Sequence, residues 1–131
     1  VRICDLPSNF NEIIAVVALI QTLIASLAEK ETSRFPSREI MMHNKWHAAR
    51  YGLDGTFINR QSGSHHTFKK VINDLLETLS SQVSVFGTET YLQPIHKILQ
   101  VGTSAHRQKT LYKEHGDLRE MIYIMQREFW K

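Results

Sequence analysis

"SNFNEIIAVVALIQTLIASLAEKE", residues 8–31, is the stretch that decides the fold. Asn9 is placed to cap a helix, with Glu12 three residues on in a capping-box arrangement. Ile13, Ile14, Val16, Val17, Leu19, Ile20, Leu23, Ile24 and Leu27 then point in almost every direction around the axis. A helix that is apolar all round is either a central core helix or a membrane span. Glu12 and Glu29 bracket the segment, and Gln21, Thr22 and Ser26 interrupt it. That leaves fewer than the roughly 20 apolar residues a span requires. The reading is a central core helix, with no membrane. Each large aliphatic side chain fully buried contributes about 1.5–3 kcal/mol, so the helix needs cover on several sides.

Working outward, "VRICDLP" (residues 1–7) alternates Val1, Ile3 and Leu6 with Arg2 and Asp5 before Pro7 stops it. This is a strand pattern, and the following sequence offers it few neighbours. Val1 is therefore read as an internal position of a larger polypeptide whose partner strands lie upstream. In "FPSREIMMHNKWHAARYG" (35–52), Ser37 caps a second helix, Glu39 lies in its first turn, Arg50 in its last, and Gly52 takes the C′ position. "LDGTFINRQSGSHH" (53–66) has turn chemistry at Asp54-Gly55 and Ser62-Gly63, with Thr56-Phe57-Ile58 as a small hairpin strand. "TFKKVINDLLETLSSQ" (67–82) is amphipathic at helical spacing. "PIHKILQVG" (94–102) is a short helix with Pro94 in its first turn; Ser104 caps "AHRQKTLYKEHG" (105–116), and Asp117 caps "LREMIYIMQREFW" (118–130). The expected fold is mainly α: a helical bundle with a strand stub at residues 1–6 and helices and loops over 9–131, forming one region.

Composition excludes several classes. Sixteen Lys and Arg against thirteen Asp and Glu give a net charge of +3, too small and too dispersed for a nucleic-acid partner. Lys69, Lys70, Arg107, Lys109 and Lys113 fall on different helices with acids between them, and the long Gly/Asn/Ser stretch separates the second and third helices where a helix-turn-helix needs a short turn. Cys4 is the lone cysteine, which makes a reducing, cytoplasmic setting the default.

Two histidines four apart, His43 and His47, share a helix face as zinc-binding pairs do. Position 44 is Asn rather than a general-base Glu and no third ligand is apparent, so they are read as surface histidines and no metal is assigned. Two cations stand out. Arg2 lies on a strand, where a rigid element can aim a guanidinium at an anion. Arg50 lies at a helix end beside Tyr51 and Gly52, where it either binds a carboxylate or phosphate or simply offsets the helix dipole by 0.3–1 kcal/mol.

These residues resemble a known family. "VRICDLPSNFNEIIAVVALIQTLIASLAE" is similar to the segment of the bacterial second glutamate–cysteine ligase family in which a Glu-Val-Arg strand leads into a long apolar helix. "NKWHAARYGLDGTFIN" (44–59) and "VGTSAHRQKTLYKEHGDLREMI" (101–122) are similar to two later motifs of that family. The resemblance implies the C-terminal part of a glutamine-synthetase-like ligase, an α+β fold in which ATP and Mg²⁺ activate a glutamate-like carboxylate as an acyl-phosphate for an amine acceptor. It implies that Arg2 is catalytic, that the Glu of the strand motif would precede Val1, and that Arg50, Asn44 and Tyr51 bind substrate or phosphate. The metal ligands and nucleotide-cradling strands belong to a missing N-terminal catalytic region, so the fragment alone should bind neither ATP nor Mg²⁺ and should not catalyse. A homodimer is a candidate assembly. The rival reading is a non-catalytic helical module that binds a protein partner through apolar faces. An incomplete ligase should leave an exposed apolar helix face.

Overall fold

The computed structural model describes residues 7–28, 37–60 and 62–131. The strand expected over residues 1–6, with Arg2 on it, lies outside the described residues. Those residues form α1 (Phe10–Ala28), α2 (Arg38–Tyr51), a 3-10 turn (Gly52–Asp54), β1 (Thr56–Ile58), β2 (His65–Thr67), α3 (Phe68–Thr78), α4 (Ser80–Phe86), α5 (Glu89–Val101), α6 (Ser104–His115) and α7 (Leu118–Glu128). The mainly helical class read from the sequence is the class observed. The chain divides into two compact units, residues 1–21 with 87–131 and residues 22–86, and the division falls within α1.

In the first unit α5 buries Leu92, Ile95 and Leu99, spaced three and four apart on one helical face. Leu111 of α6 and Ala15 and Ala18 of α1 are buried as well. The helix expected to open near Pro94 starts at Glu89 instead, so Pro94 sits inside α5, where it leaves one turn without a backbone donor. At the start of α6, Thr103 takes the N-cap position expected for Ser104, and its amide donates to His106 Nδ1 (3.3 Å). Both residues have a hydroxyl suited to capping, and Ser104 uses its own elsewhere. It donates to Glu12 Oε2 (3.1 Å) and accepts from the Ser8 amide (2.9 Å). Glu12 therefore reaches the first turn of α6, where a carboxylate is favoured by the helix dipole. Asn9 does cap α1, accepting from the amides of Asn11 (2.9 Å) and Glu12 (3.4 Å). Its own amide group donates to the Glu128 carbonyl (3.1 Å), and the Phe10 amide donates to the Phe129 carbonyl (2.8 Å). The entry to α1 is thereby tied to the start of α6 and the end of α7.

In the second unit the helix expected over 67–82 is broken at Leu79 and resumes as α4 to Phe86. Leu79 is almost fully buried, and backbone bonds from Leu79 to Leu75 and from Val83 to Leu79, both 2.9 Å, carry the chain across the break. Thr67 ends β2 and caps α3 at once, its hydroxyl accepting from the Lys70 amide (3.3 Å).

α1 departs from the enclosed core helix read from its sequence. The positions it buries are small ones, Ala15, Ala18, Thr22 and Ser26, whereas Val17 is 56% and Ile24 59% exposed. Small side chains let neighbours approach the helix closely, while Ile13, Ile14, Val16, Leu19, Ile20 and Leu23 are half-buried and Val17, Ile24 and Leu27 are exposed. By length and composition alone, this 19-residue helix could also cross a membrane.

One charged pair gives the first unit a pH dependence. Arg107 grips Glu128 in a fork, Nε to Oε2 at 3.2 Å and Nη2 to Oε1 at 2.7 Å. That hydrogen bond holds the Glu128 carboxyl below its ordinary range, against an opposing effect of burial and with help from the charges of Arg107, Lys131 and Lys97. A carboxyl lowered on folding adds stability above its unfolded pKa of about 4.3, and that stability is lost as pH falls through the folded value. Both side chains are more than a third exposed, so screening keeps the contribution within about 1 kcal/mol. Glu128→Gln in the full-length protein is expected to flatten the acid limb of the melting temperature against pH. Superimposable curves for the two proteins would deny the pair that role.

Candidate functional site

The site read from the sequence lies on α2, and its geometry starts with the hairpin. β1 pairs antiparallel with β2 in the register Thr56–Thr67, Phe57–His66 and Ile58–His65. The Gly55 carbonyl accepts from the Phe68 amide (3.1 Å) and the Asn59 amide donates to the Ser64 carbonyl (2.9 Å), so the odd-numbered positions face the partner strand. The amides of Thr56 and Ile58 therefore leave β1 on its other edge. A two-stranded hairpin is marginal by itself, and a bare edge is a liability.

α2 covers that edge with side chains. Asn44 Oδ1 accepts from the Ile58 amide (2.8 Å) while Asn44 Nδ2 donates to the Ile58 carbonyl (3.1 Å). His47 Nδ1 accepts from the Thr56 amide (3.3 Å). Asn44 and His47 are three apart and share one helical face. The helix thus does the work of a third strand, through an amide and an imidazole in place of backbone. His47 as an acceptor at Nδ1 carries its proton on Nε2 when neutral, a tautomer assigned from the hydrogen bond. Gly55 lets the two elements meet: a Cβ there would lie 2.7 Å from the His47 carbonyl oxygen. Gly52 closes α2 at φ 58°, its amide donating to the Ala48 carbonyl.

Aromatic rings pack along the same helix. His43 and His47 stack at 4.2 Å, and Tyr51 lies 5.3 Å from His47 and edge-on to Trp46 at 5.7 Å. His43 Nε2 is buried with no hydrogen-bond partner among the described residues. His47 is thus not the ordinary surface histidine expected from its sequence setting. Its ring contacts lie within α2, and its acceptor role depends on the hairpin, 9 residues away.

Asn44, Arg50 and Tyr51 all lie on α2, Asn44 and Tyr51 on the side facing the hairpin and Arg50 off it; Arg2 lies outside the described residues. Asn44 is committed to Ile58. Tyr51 is half exposed. Arg50, in the last turn, is exposed and makes no ion pair or hydrogen bond among the described residues. A free guanidinium on a fixed helix end suits a carboxylate or phosphate. The adjoining helix C-terminus is electronegative, so the guanidinium would have to supply the attraction alone. Among the described residues no group of three or more His, Cys, Asp or Glu could hold a metal ion. They do not fit Mg²⁺, which is held through carboxylate oxygens.

In the first unit a cavity of about 560 Å³ is lined by Glu12, Lys97, Ser104, Arg107 and Glu128, among others. Its carboxylates are engaged internally, Glu12 by Ser104 and Glu128 by Arg107.

The described residues form a mainly helical structure with Arg50 exposed at the end of α2. Residues 1–123 match the family model described as glutamate-cysteine ligase family 2. The chain belongs to that family. It is similar to proteins provisionally named glutamate–cysteine ligase 2: 38% identical over 128 residues to that of Solibacter usitatus, covering 95% of this chain and 33% of the relative. Identity is 33% over 116 residues to that of Sorangium cellulosum, covering 86% and 31%. For that of Herpetosiphon aurantiacus it is 31% over 132 residues, covering 98% and 34%. The chain spans about a third of the length of these relatives. No solved structure matches it.

Asn44→Ala strips two hydrogen bonds from Ile58 and leaves a half-buried amide without a partner, at a cost of about 1–3 kcal/mol. Asn44→Asp keeps an acceptor for the amide but sets a carboxylate oxygen against the Ile58 carbonyl. Thermal denaturation of the full-length protein is expected to show a clear loss for both variants. An unchanged melting temperature for Asn44→Ala would dismiss the clamp.

Proposed function

We propose that this chain is the C-terminal part of an ATP-dependent carboxylate–amine ligase of the glutamate–cysteine ligase type. In this reading a glutamate-like carboxylate oxygen attacks the γ-phosphorus of ATP, the bond to the bridging oxygen breaks, and ADP leaves. The amine nitrogen then attacks the acyl carbon of the acyl-phosphate, loses a proton and expels phosphate as the amide forms. Both steps concentrate negative charge on phosphate and carboxylate oxygens, and preorganised cations stabilise such charge best.

The observation that supports this reading is the free Arg50 guanidinium on a helix that Asn44 and His47 hold in place, within a segment that resembles a family motif. Arg50 binds a carboxylate or phosphate oxygen, and Tyr51 beside it offers a hydroxyl. Asn44 acts through its grip on the hairpin, as a positioning residue. Arg2 completes the cationic side of the site. Mg²⁺ would offset phosphate charge from carboxylates beyond the described residues, and no step is assigned through it. Without those residues the fragment is inactive by itself. Cys4, the lone cysteine in this stretch, supports a reducing, cytoplasmic setting for the enzyme in this reading. The rival reading, a non-catalytic interaction module, draws on the exposed apolar faces; the larger ligase accounts for these without a further partner.

ADP release by the full-length protein, given glutamate and a panel of amines, tests the reading. A charged hydrogen bond contributes about 1.5–3 kcal/mol, so Arg50→Ala is expected to reduce kcat/KM by roughly 10- to 100-fold at an unchanged melting temperature. Unchanged kcat and KM would assign Arg50 to structure. Arg2→Ala is expected to lower turnover by orders of magnitude, and near-normal turnover would remove Arg2 from the site. Absence of amine-dependent ADP release from the wild type would contradict the ligase reading itself.

A further inference from the structure

We propose that the outward face of α2, built on Met41, Met42 and Trp46, is an internal interface of the full-length ligase, covered by the part of the polypeptide that the relatives possess beyond this chain. The inference rests on the ligase reading and adds how the Arg50 corner is completed.

Physical stability requires such cover. A helix of 14 residues is marginal in water unless tertiary packing supports it. α2 has no buried residue. Its inner side is fastened to β1 through Asn44 and His47. Away from that side it carries Met41, Met42 and Trp46 at 48–56% exposure, whereas Tyr51 packs against His47 on the inner side. Met42, Trp46 and Arg50 are spaced by four and run along one ridge of the helix. Met, Trp and Arg are residue types enriched at interface centres, and Trp and Arg dominate their binding energy.

The occupant follows from length. The family match runs through all of α2, while about two-thirds of each relative's length lies outside the matched region. A protein segment of that size is ample to cover one helix face. Because Arg50 ends the ridge, it would stand at the seam between this substructure and the covering one. Substrate pockets form preferentially at such seams.

Hydroxyl-radical footprinting of the full-length protein tests this without mutation, since Met and Trp side chains are among the most readily oxidised. Oxidation of Met41 and Met42 in the tryptic peptide 39–45, and of Trp46 in 46–50, is compared between the native and the denatured protein. Cover by the rest of the chain predicts native oxidation slowed by about tenfold or more at all three residues, independent of protein concentration. Native rates within about twofold of the denatured ones would overturn the interface. Protection that disappears on about hundredfold dilution would overturn it in favour of a second copy of the protein. The same preparation is assayed for ATP turnover. Turnover without protection refutes the interface while sparing the ligase reading, and protection without turnover upholds the interface while counting against that reading.

Discussion

The pair of hydrogen bonds between the Asn44 side chain and the backbone of Ile58 is the constraint on which the second unit depends. A three-residue strand has little to hold it, and β2 satisfies one edge alone. Asn44 presents an acceptor and a donor in the same geometry as a neighbouring peptide group, so it closes the other edge as a strand would. His47, three residues on, does the same for Thr56. With the hairpin fixed, the Gly52–Asp54 turn is fixed too, and with it the orientation of the last turn of α2. Arg50 is therefore delivered by a fixed corner rather than by a loop, with no ion pair or hydrogen bond to its guanidinium among the described residues.

The first unit is held by a similar economy of few polar contacts over long separations. Ser104 joins the start of α1 to the start of α6 through Ser8 and Glu12, and Asn9 and Phe10 join it to the end of α7. The Phe10 amide at the start of α1 and the Glu128 carbonyl at the end of α7 are thereby satisfied, groups that a helix end would otherwise leave open. The apolar burial is modest, with Leu92, Ile95, Leu99 and Leu111 as its larger members. Much apolar surface stays outside, including Val17 and Ile24 on α1 and Trp46 on α2.

How much of this was legible in the sequence depended on range. Local chemistry read well: Ser37, Asn9 and Asp117 cap the helices they were expected to cap, and Thr56–Ile58 is the expected hairpin strand. Long-range choices were hidden. Glu12 had a local partner in the Asn9 amide and took one 92 residues away instead. Thr103 and Ser104 were equally fit to cap α6, and the distant Glu12 and Ser8 decided between them. Counting apolar directions around α1 showed that it was apolar, without showing that its small residues would face inward. The roles of Asn44 and His47 were out of reach for the same reason, since an i, i+3 pair of polar residues says nothing until a strand edge is brought beside it. Arg50 was singled out by its place at a helix end beside Tyr51 and Gly52 and by a family-like motif, and the structure shows it exposed in the last turn of α2.

The central claim is that α2 serves as the third strand of the hairpin and so holds the Arg50 corner rigid. Amide hydrogen exchange of the full-length protein at Thr56 and Ile58 measures this directly, since β2 leaves both amides unpaired. If Asn44 and His47 close that edge, both should exchange at least about a hundredfold more slowly than in an unstructured chain, comparably to Asn59, whose amide is paired across the hairpin. Exchange of Thr56 and Ile58 at the unstructured rate, with Asn59 still protected, would contradict the account.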